Sequence, residues 1–355
     1  MKGRRFVLLL CTIIAVGVLF GCMGPMTPTI EPPVVSQPID YSLYGTANYV
    51  PPLPEEDPYP LYVGARWIYR NAATYWNPQI ASSGLLESEV VATVQGNGEQ
   101  CYVLRTHYSN GPDELLYVHR SSVAVLMRAA TLLTSPGAQT SYSLNPGLAF
   151  LEFPLQEDKT WDSTFSGGFV SATVYHKEVV AIEAGQVNTM LGTYSPIFTG
   201  AWRIHYDLVG SGPRLFGGPQ QFLWFAPGVG IVKHVLNSID YELAEVRLPE
   251  EVLSLDEDDA GRRFRMPDGG FLVVQLRGGS PGELTGSLWR LDAGGSLQFI
   301  DTAFYGDLKP SAEGSGTHVF RFRALEEGET VLRFVRFDQE TGLQEDSVQF
   351  IIRVE

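Results

Sequence analysis

The sequence predicts an all-β protein: a curved antiparallel sheet or half-barrel followed by a two-sheet sandwich. Three observations carry that expectation. Aromatic and β-branched residues fall in short runs between turn signals, the 37 Gly and 23 Pro of the 355 residues follow no repeat period, and helical periodicity is weak throughout. A hydrophobic share of 44% against 18% charged residues gives enough apolar mass for a core in each of two domains and excludes wholesale disorder. With 25 Lys and Arg against 40 Asp and Glu, the formal charge of -15 repels phosphate backbones. No nucleic-acid partner is expected.

The first residues are a targeting segment. Lys2, Arg4 and Arg5 form a basic head, and the apolar run from Phe6 to Phe20 is too short to span a bilayer comfortably as a helix. It closes on Leu19-Phe20-Gly21-Cys22, which resembles the lipobox of bacterial lipoproteins. The resemblance implies a signal peptide over residues 1–21 and lipidation of Cys22, which becomes the mature N-terminus and ties the chain to a membrane outside the cytoplasm. No Asp follows Cys22, so in a cell envelope with two membranes the resemblance implies the outer one. Residues 22–58 are Pro-rich and read as an extended tether. Cys11 leaves with the signal and Cys22 is modified, so Cys101 stands alone among the three cysteines. No intramolecular disulfide is expected, and Cys101 reads as a small buried hydrophobe.

Residues 59–248 read as a β-rich domain bounded by the acidic run Asp256-Glu257-Asp258-Asp259 just beyond it. Expected strands cover 66–72, 86–95, 101–108, 115–120, 170–182, 201–209, 221–225, 231–236 and 241–248. The stretch 122–133 fits helix or strand. Three segments carry a resemblance: Tyr59-Pro60-Leu61 through Gly64 to Trp67 and Tyr69, Glu178 to Gly185, and Trp224-Phe225-Ala226-Pro227-Gly228-Val229-Gly230 through Lys233. Together they are similar to a group of uncharacterised bacterial lipoproteins with PLxxGxxWxY and W(Y/F)APGVGxVK motifs. Physically, Gly228 and Gly230 permit a tight turn and Pro227 sets its first residue.

Catalysis finds no support. Histidines 107, 119, 176, 205, 234 and 318 show no metal-ligand spacing and read as structural or surface residues. Gly278-Gly279-Ser280-Pro281-Gly282 satisfies the G-x-S-x-G pattern of a hydrolase elbow. Pro281, however, lacks the backbone N–H that the oxyanion needs, and the segment after it alternates as a strand does rather than as a helix. Neither catalytic residues nor a metal or cofactor is expected.

Residues 249–355 alternate with period two. Leu272/Val274/Leu276, His318/Phe320/Phe322 and Val348/Phe350/Ile352/Val354 each share one strand face, and about seven short strands predict an Ig-like β-sandwich. Alternate connections then emerge at one end. The loop order resembles the chagasin family of cysteine-peptidase inhibitors. Thr285-Gly286-Ser287-Leu288-Trp289 keeps the family's Thr-Gly-x-x-Trp spacing with Pro281 as the loop proline, Gly314-Ser315-Gly316-Thr317 stands for its GxGGT loop, and Val335-Arg336-Phe337-Asp338 for its RPW loop without the Pro or Trp. The resemblance implies a membrane-anchored inhibitor whose three loops plug the cleft of a papain-like cysteine peptidase through Pro281, Thr285, Gly286, Trp289, Gly314, Gly316, Thr317, Arg336 and Phe337. Trp289 reads more readily as the core Trp of the sandwich than as a contact residue, while Arg336 and Phe337 read equally as strand residues and Thr285-Gly286 equally as a turn. The alternative is a non-inhibitory envelope protein, structural or binding a hydrophobic ligand, that reuses the sandwich.

Overall fold

The computed structural model describes residues 58–71, 84–96, 98–109, 113–135, 138–167, 170–182, 201–209, 220–236, 239–247, 252–279, 287–293, 297–308 and 315–355. The expected signal segment, the expected lipidation site Cys22 and the expected tether up to residue 57 lie outside them. Barrel and sandwich, described next, belong to one compact unit.

The amino-terminal strands are β1 (Arg66–Asn71), β2 (Leu85–Gly96), β3 (Glu99–Tyr108), β4 (Asp113–Arg120), β5 (Ala124–Ser135), β6 (Ala138–Glu152), β7 (Thr160–Gly167), β8 (Val170–Ile182), β9 (Trp202–Val209), β10 (Gln220–Ala226), β11 (Gly230–Leu236) and β12 (Ile239–Arg247). Every neighbour along the chain is paired antiparallel, and β1 closes onto β12. The half-barrel of the sequence reading is thus a closed twelve-stranded barrel.

The three additional strands explain the difference. The ambiguous stretch 122–133 is the strand β5. No strand is expected over β6 or β7; in β6, Gly147 at a φ of 118° takes up an irregular register against β5. The β6–β7 seam carries a single backbone bridge, Asn145 with Ser166. Side chains complete it: Trp161 Nε1 donates to Ala149 O at 3.1 Å, and Ser163 Oγ accepts from Ala149 N at 3.1 Å.

The first and last sequence motifs of this domain pack against each other at one end of the barrel. Gly228 N donates to Pro58 O at 2.9 Å and Trp67 Nε1 to Val229 O at 2.7 Å. Tyr59 packs on Trp67 and Phe225 with ring centroids 5.9 and 5.6 Å apart. Gly230 has a φ of 104°, and a Cβ there would lie 2.8 Å from the Tyr59 ring, so both conformation and space require glycine.

The sandwich contains β13 (Val252–Leu255), β14 (Arg263–Met266), β15 (Phe271–Gly279), β16 (Ser287–Ala293), β17 (Leu297–Gly306), β18 (Ser315–Ala324), β19 (Gly328–Asp338) and β20 (Gln344–Val354). One sheet runs β13-β15-β18-β17 and the other β14-β20-β19-β16. The acidic run forms a 3-10 turn at Glu257–Asp259, capped by the Asp256 side chain. Leu272, Val274, Leu276, Phe320, Phe322, Phe350, Ile352 and Val354 fill the core, as their alternation predicts.

The opposite face of β15 and β18 is not solvated. Val273 and Val319 join the barrel's core, and Arg247 lies over the Phe271 ring at 4.2 Å. The cause is a length mismatch: β1 pairs only Leu85–Glu89 of the twelve-residue β2, leaving the far half of β2 with a free edge. Sandwich groups satisfy it. Thr93 N donates to Gln275 Oε1 at 2.8 Å, Thr317 Oγ1 to Thr93 O at 2.7 Å, Gln95 N to Asp307 Oδ1 at 2.9 Å and Leu308 N to Gln95 O at 3.1 Å.

Candidate functional site

Strand direction assembles the site. Gly279 pairs with Ser315, Gly306 with Gly316, and Phe337 with Gln344, while Ser287 pairs with Asp338. The connections 280–286, 307–314 and 339–343 therefore all leave the same end of the sandwich. Pro281, Thr285, Gly286 and Gly314 lie outside the described residues, but the strands that bracket them fix the end from which their loops depart.

The other expected residues have definite places. Trp289 is 3% exposed and its Nε1 donates to Arg277 O at 2.7 Å, so it is a core residue under the loop end. Arg336 lies over the Trp289 ring at 5.5 Å and pairs with Glu345 at 3.2 Å. Phe337, on the alternate face of β19, is covered by Arg290 at 5.4 Å. Gly316 has no room for a side chain, since a Cβ would lie 2.4 Å from the Phe304 ring and from Tyr305 O. Thr317 is 2% exposed and engaged with Thr93 of the barrel. These five positions build the base of the loop end rather than its tip.

Two further ties hold the loops. Burial pushes the His318 imidazole down to about 4, so at neutral pH it is uncharged and its Nε2–H donates to Gly279 O at 2.9 Å, fixing the start of the first loop. Asp307, at the start of the second, accepts from Ser315 Oγ at 2.8 Å and pairs with Arg277 at 2.5 Å. Burial raises its carboxyl, but Arg277 and the Gln95 N–H outweigh that and hold it below the ordinary value.

The third connection is a preordered turn. Asp338 Oδ1 accepts from Thr341 N at 2.6 Å and Thr341 Oγ1 at 2.7 Å, which together hold the carboxyl below its usual range. Gly342 N donates to Asp338 O at 2.9 Å with Gly342 at a φ of 69°. The turn presents Leu343, 68% exposed. Sequence reasoning stopped at Arg336 and Phe337 and missed Leu343; the signal for it was an apolar residue directly after Thr-Gly in a polar turn.

The barrel joins this end through Leu308, which packs on its core beside Gly96, at the β2–β3 turn. Among the described residues no group of His, Cys, Asp and Glu is placed to hold a metal ion, and no helix is long and apolar enough to cross a membrane. β16, which follows the G-x-S-x-G segment, is a strand, and His318 is engaged with Gly279.

No family model matches the sequence, and no curated protein matches it. Solved structures similar to the chain include the cysteine protease inhibitor EhICP2 from Entamoeba histolytica, at 14% identity over 29% of this chain and 96% of that one, TM-score 0.26. A second is PbICP-C in complex with falcipain-2, at 8% identity over 31% and 95%, TM-score 0.21. A third, a candidate lipoprotein from Parabacteroides distasonis, matches at 14% identity over 54% of this chain and 99% of that one, TM-score 0.27. The neighbours thus include both kinds of protein that the sequence motifs resemble. None of these scores decides a function, so the functional reading rests on the geometry of the loop end.

Proposed function

We propose that this protein is a lipid-anchored cell-envelope inhibitor of papain-like cysteine peptidases. Cys22 is its anchor, residues 22–58 its tether, 59–248 its β-rich lipoprotein domain and 249–355 its inhibitory sandwich. The observation that supports the reading is that three connections depart from one end of the sandwich, the third a hydrogen-bonded turn with an exposed Leu343. A loop ordered before binding enters a narrow cleft with little entropy loss. His318, Asp307 and Trp289 act through the loops they hold, and Thr285, Gly286 and Leu343 make the contacts.

The test is titration of papain with the purified whole protein, following residual activity. Tight reversible inhibition is expected, with a loss of tenfold or more in affinity for the Thr285→Ala/Gly286→Ala double variant and for Leu343→Asp, each with unchanged thermal unfolding. A folded protein that leaves papain and related enzymes fully active at high micromolar concentration overturns the reading.

One observation favours a second role for the same chain, binding of a small hydrophobic ligand: the barrel holds an internal, mostly apolar cavity.

A further inference from the structure

The cavity has a volume of about 80 Å³ and is partly open to the surface. That is several times the about 10–15 Å³ that one water requires. Leu86, Leu104, Leu116, Val118, Met127, Leu223 and Ile231 supply apolar wall, and five aromatic residues, Tyr59, Tyr69, Tyr108, Tyr206 and Phe150, line it as well. Two of the tyrosine hydroxyls are already used by the wall, Tyr69 donating to Ile231 O at 2.9 Å and Tyr206 to Phe150 O at 3.0 Å.

One carboxylate stands in this chamber. Glu114 on β4 is 2% exposed; its Oε2 accepts from Tyr108 OH at 3.3 Å, and its Oε1 has no hydrogen-bond partner among the described residues. Among the described lining residues there is no Lys or Arg. His234 on β11 also lines the cavity, and its burial pushes the imidazole down to about 4, so it brings no positive charge at neutral pH. Burial likewise pushes the Glu114 carboxyl up to about 7. A carboxyl oxygen that faces a mostly apolar chamber is completed either by water or by a donor group of a ligand.

The sign of the missing partner follows from the wall. A ligand carboxylate would meet another carboxyl and no cation. A protonated amine would pair with Glu114, donate to its free oxygen, and find aromatic rings around it, which attract cations through their quadrupoles. We infer that the barrel is a binding site for a small hydrophobic amine, held by its ammonium on Glu114 and by its hydrocarbon part among the tyrosines and leucines of the cavity. This deepens the ligand-binding reading above and stands apart from the peptidase-directed loops.

The test is calorimetric titration of the whole protein at pH 8 with 2-phenylethylamine and n-hexylamine, against 2-phenylethanol and 3-phenylpropionate as isosteres of opposite or no charge. The amines are expected to bind at least tenfold more tightly than the alcohol, and the acid most weakly. Glu114→Gln is expected to abolish the preference and bring amine and alcohol level. The amine-to-alcohol ratio on the unaltered protein needs no variant, so a misfolded Glu114→Gln would not rescue the idea. Equal binding of alcohol and amine overturns the amine assignment while leaving a hydrophobic-ligand site. Absence of binding by every probe at millimolar concentration overturns both.

Discussion

Two buried carboxylates of the barrel show how the same burial leads to different consequences. Both are pushed up to about 7 by desolvation. Glu87 lies 2.5 Å from the Arg66 guanidinium, whereas Glu114 has a tyrosine hydroxyl and a free oxygen. A carboxyl whose folded value lies above its unfolded value of 4.5 binds its proton more tightly in the folded state. Its ionisation therefore costs stability progressively from about pH 4.5 to about pH 7, and the cost is complete above that range. Glu114→Gln is expected to stabilise the protein by about 3 kcal/mol at pH 8 and by little at pH 4, read from urea unfolding at the two pH values. Glu87→Gln is expected to gain less at pH 8 than Glu114→Gln, because it also removes the partner of a buried arginine. His318 titrates in the other sense. Its folded value of about 4 lies below 6.5, so the stability it protects is present above about pH 6.5 and lost as the pH falls towards 4. His318→Phe, which cannot charge, is expected to flatten that acid limb of the unfolding curve while loosening the first loop.

At the scale of elements, the weak places are those where the backbone ladder is incomplete. The β6–β7 seam replaces ladder bonds with Trp161 and Ser163 side chains. Ser163→Ala removes the acceptor for Ala149 N and is expected to cost about 1–3 kcal/mol, the range for stranding a buried backbone donor. Hydrogen exchange should show the loss concentrated at Ala149 and its neighbours, whereas a uniform change across the barrel would argue against a local seam. This seam also marks where the sequence was hardest to read. Short apolar and β-branched runs between turn signals made β2, β3, β10 and β11 legible, although Leu86–Ala92 of β2 and Leu223–Ala226 of β10 are buried on both faces. β6 carries Pro146 and Gly147 in mid-strand, and the barrel's curvature, satisfied by register shifts in the β5–β6 pair, accommodates what local propensity forbids.

At the scale of the molecule, barrel and sandwich form a continuous structure joined at a strand edge. The far half of β2 is finished by Gln275, Asp307, Leu308 and Thr317, and Val273 and Val319 lie in the barrel's core. Val319→Asp would place an unpaired charge in that interface. It is expected to destabilise both parts together, with a single unfolding transition at lower temperature seen by the barrel tryptophans and by Trp289 of the sandwich alike. Two separated transitions, with the barrel's unmoved, would show that the parts fold independently. The same joint places the β2–β3 turn beside the second loop, since Leu308 contacts the barrel core. The barrel thereby supports the end of the sandwich from which the loops depart.

The sequence by itself determined the class of fold, the alternating core of the sandwich, the placement of loop-bearing turns, and the motif residues Tyr59, Trp67, Phe225 and Gly230 that meet at the barrel's end. Those features are local or periodic, and period-two alternation states directly which face is buried. Tertiary structure alone decided that the sheet closes, that Thr317 lies under the loop end rather than at its tip, that Leu343 is presented, and that Glu114 faces a chamber whose described lining holds no Lys or Arg. Closure depends on pairing β1 with β12, some 170 residues apart. Whether the outer face of β18 meets water or another sheet depends on the unpaired half of β2, a length mismatch that is visible only when both partners are in place.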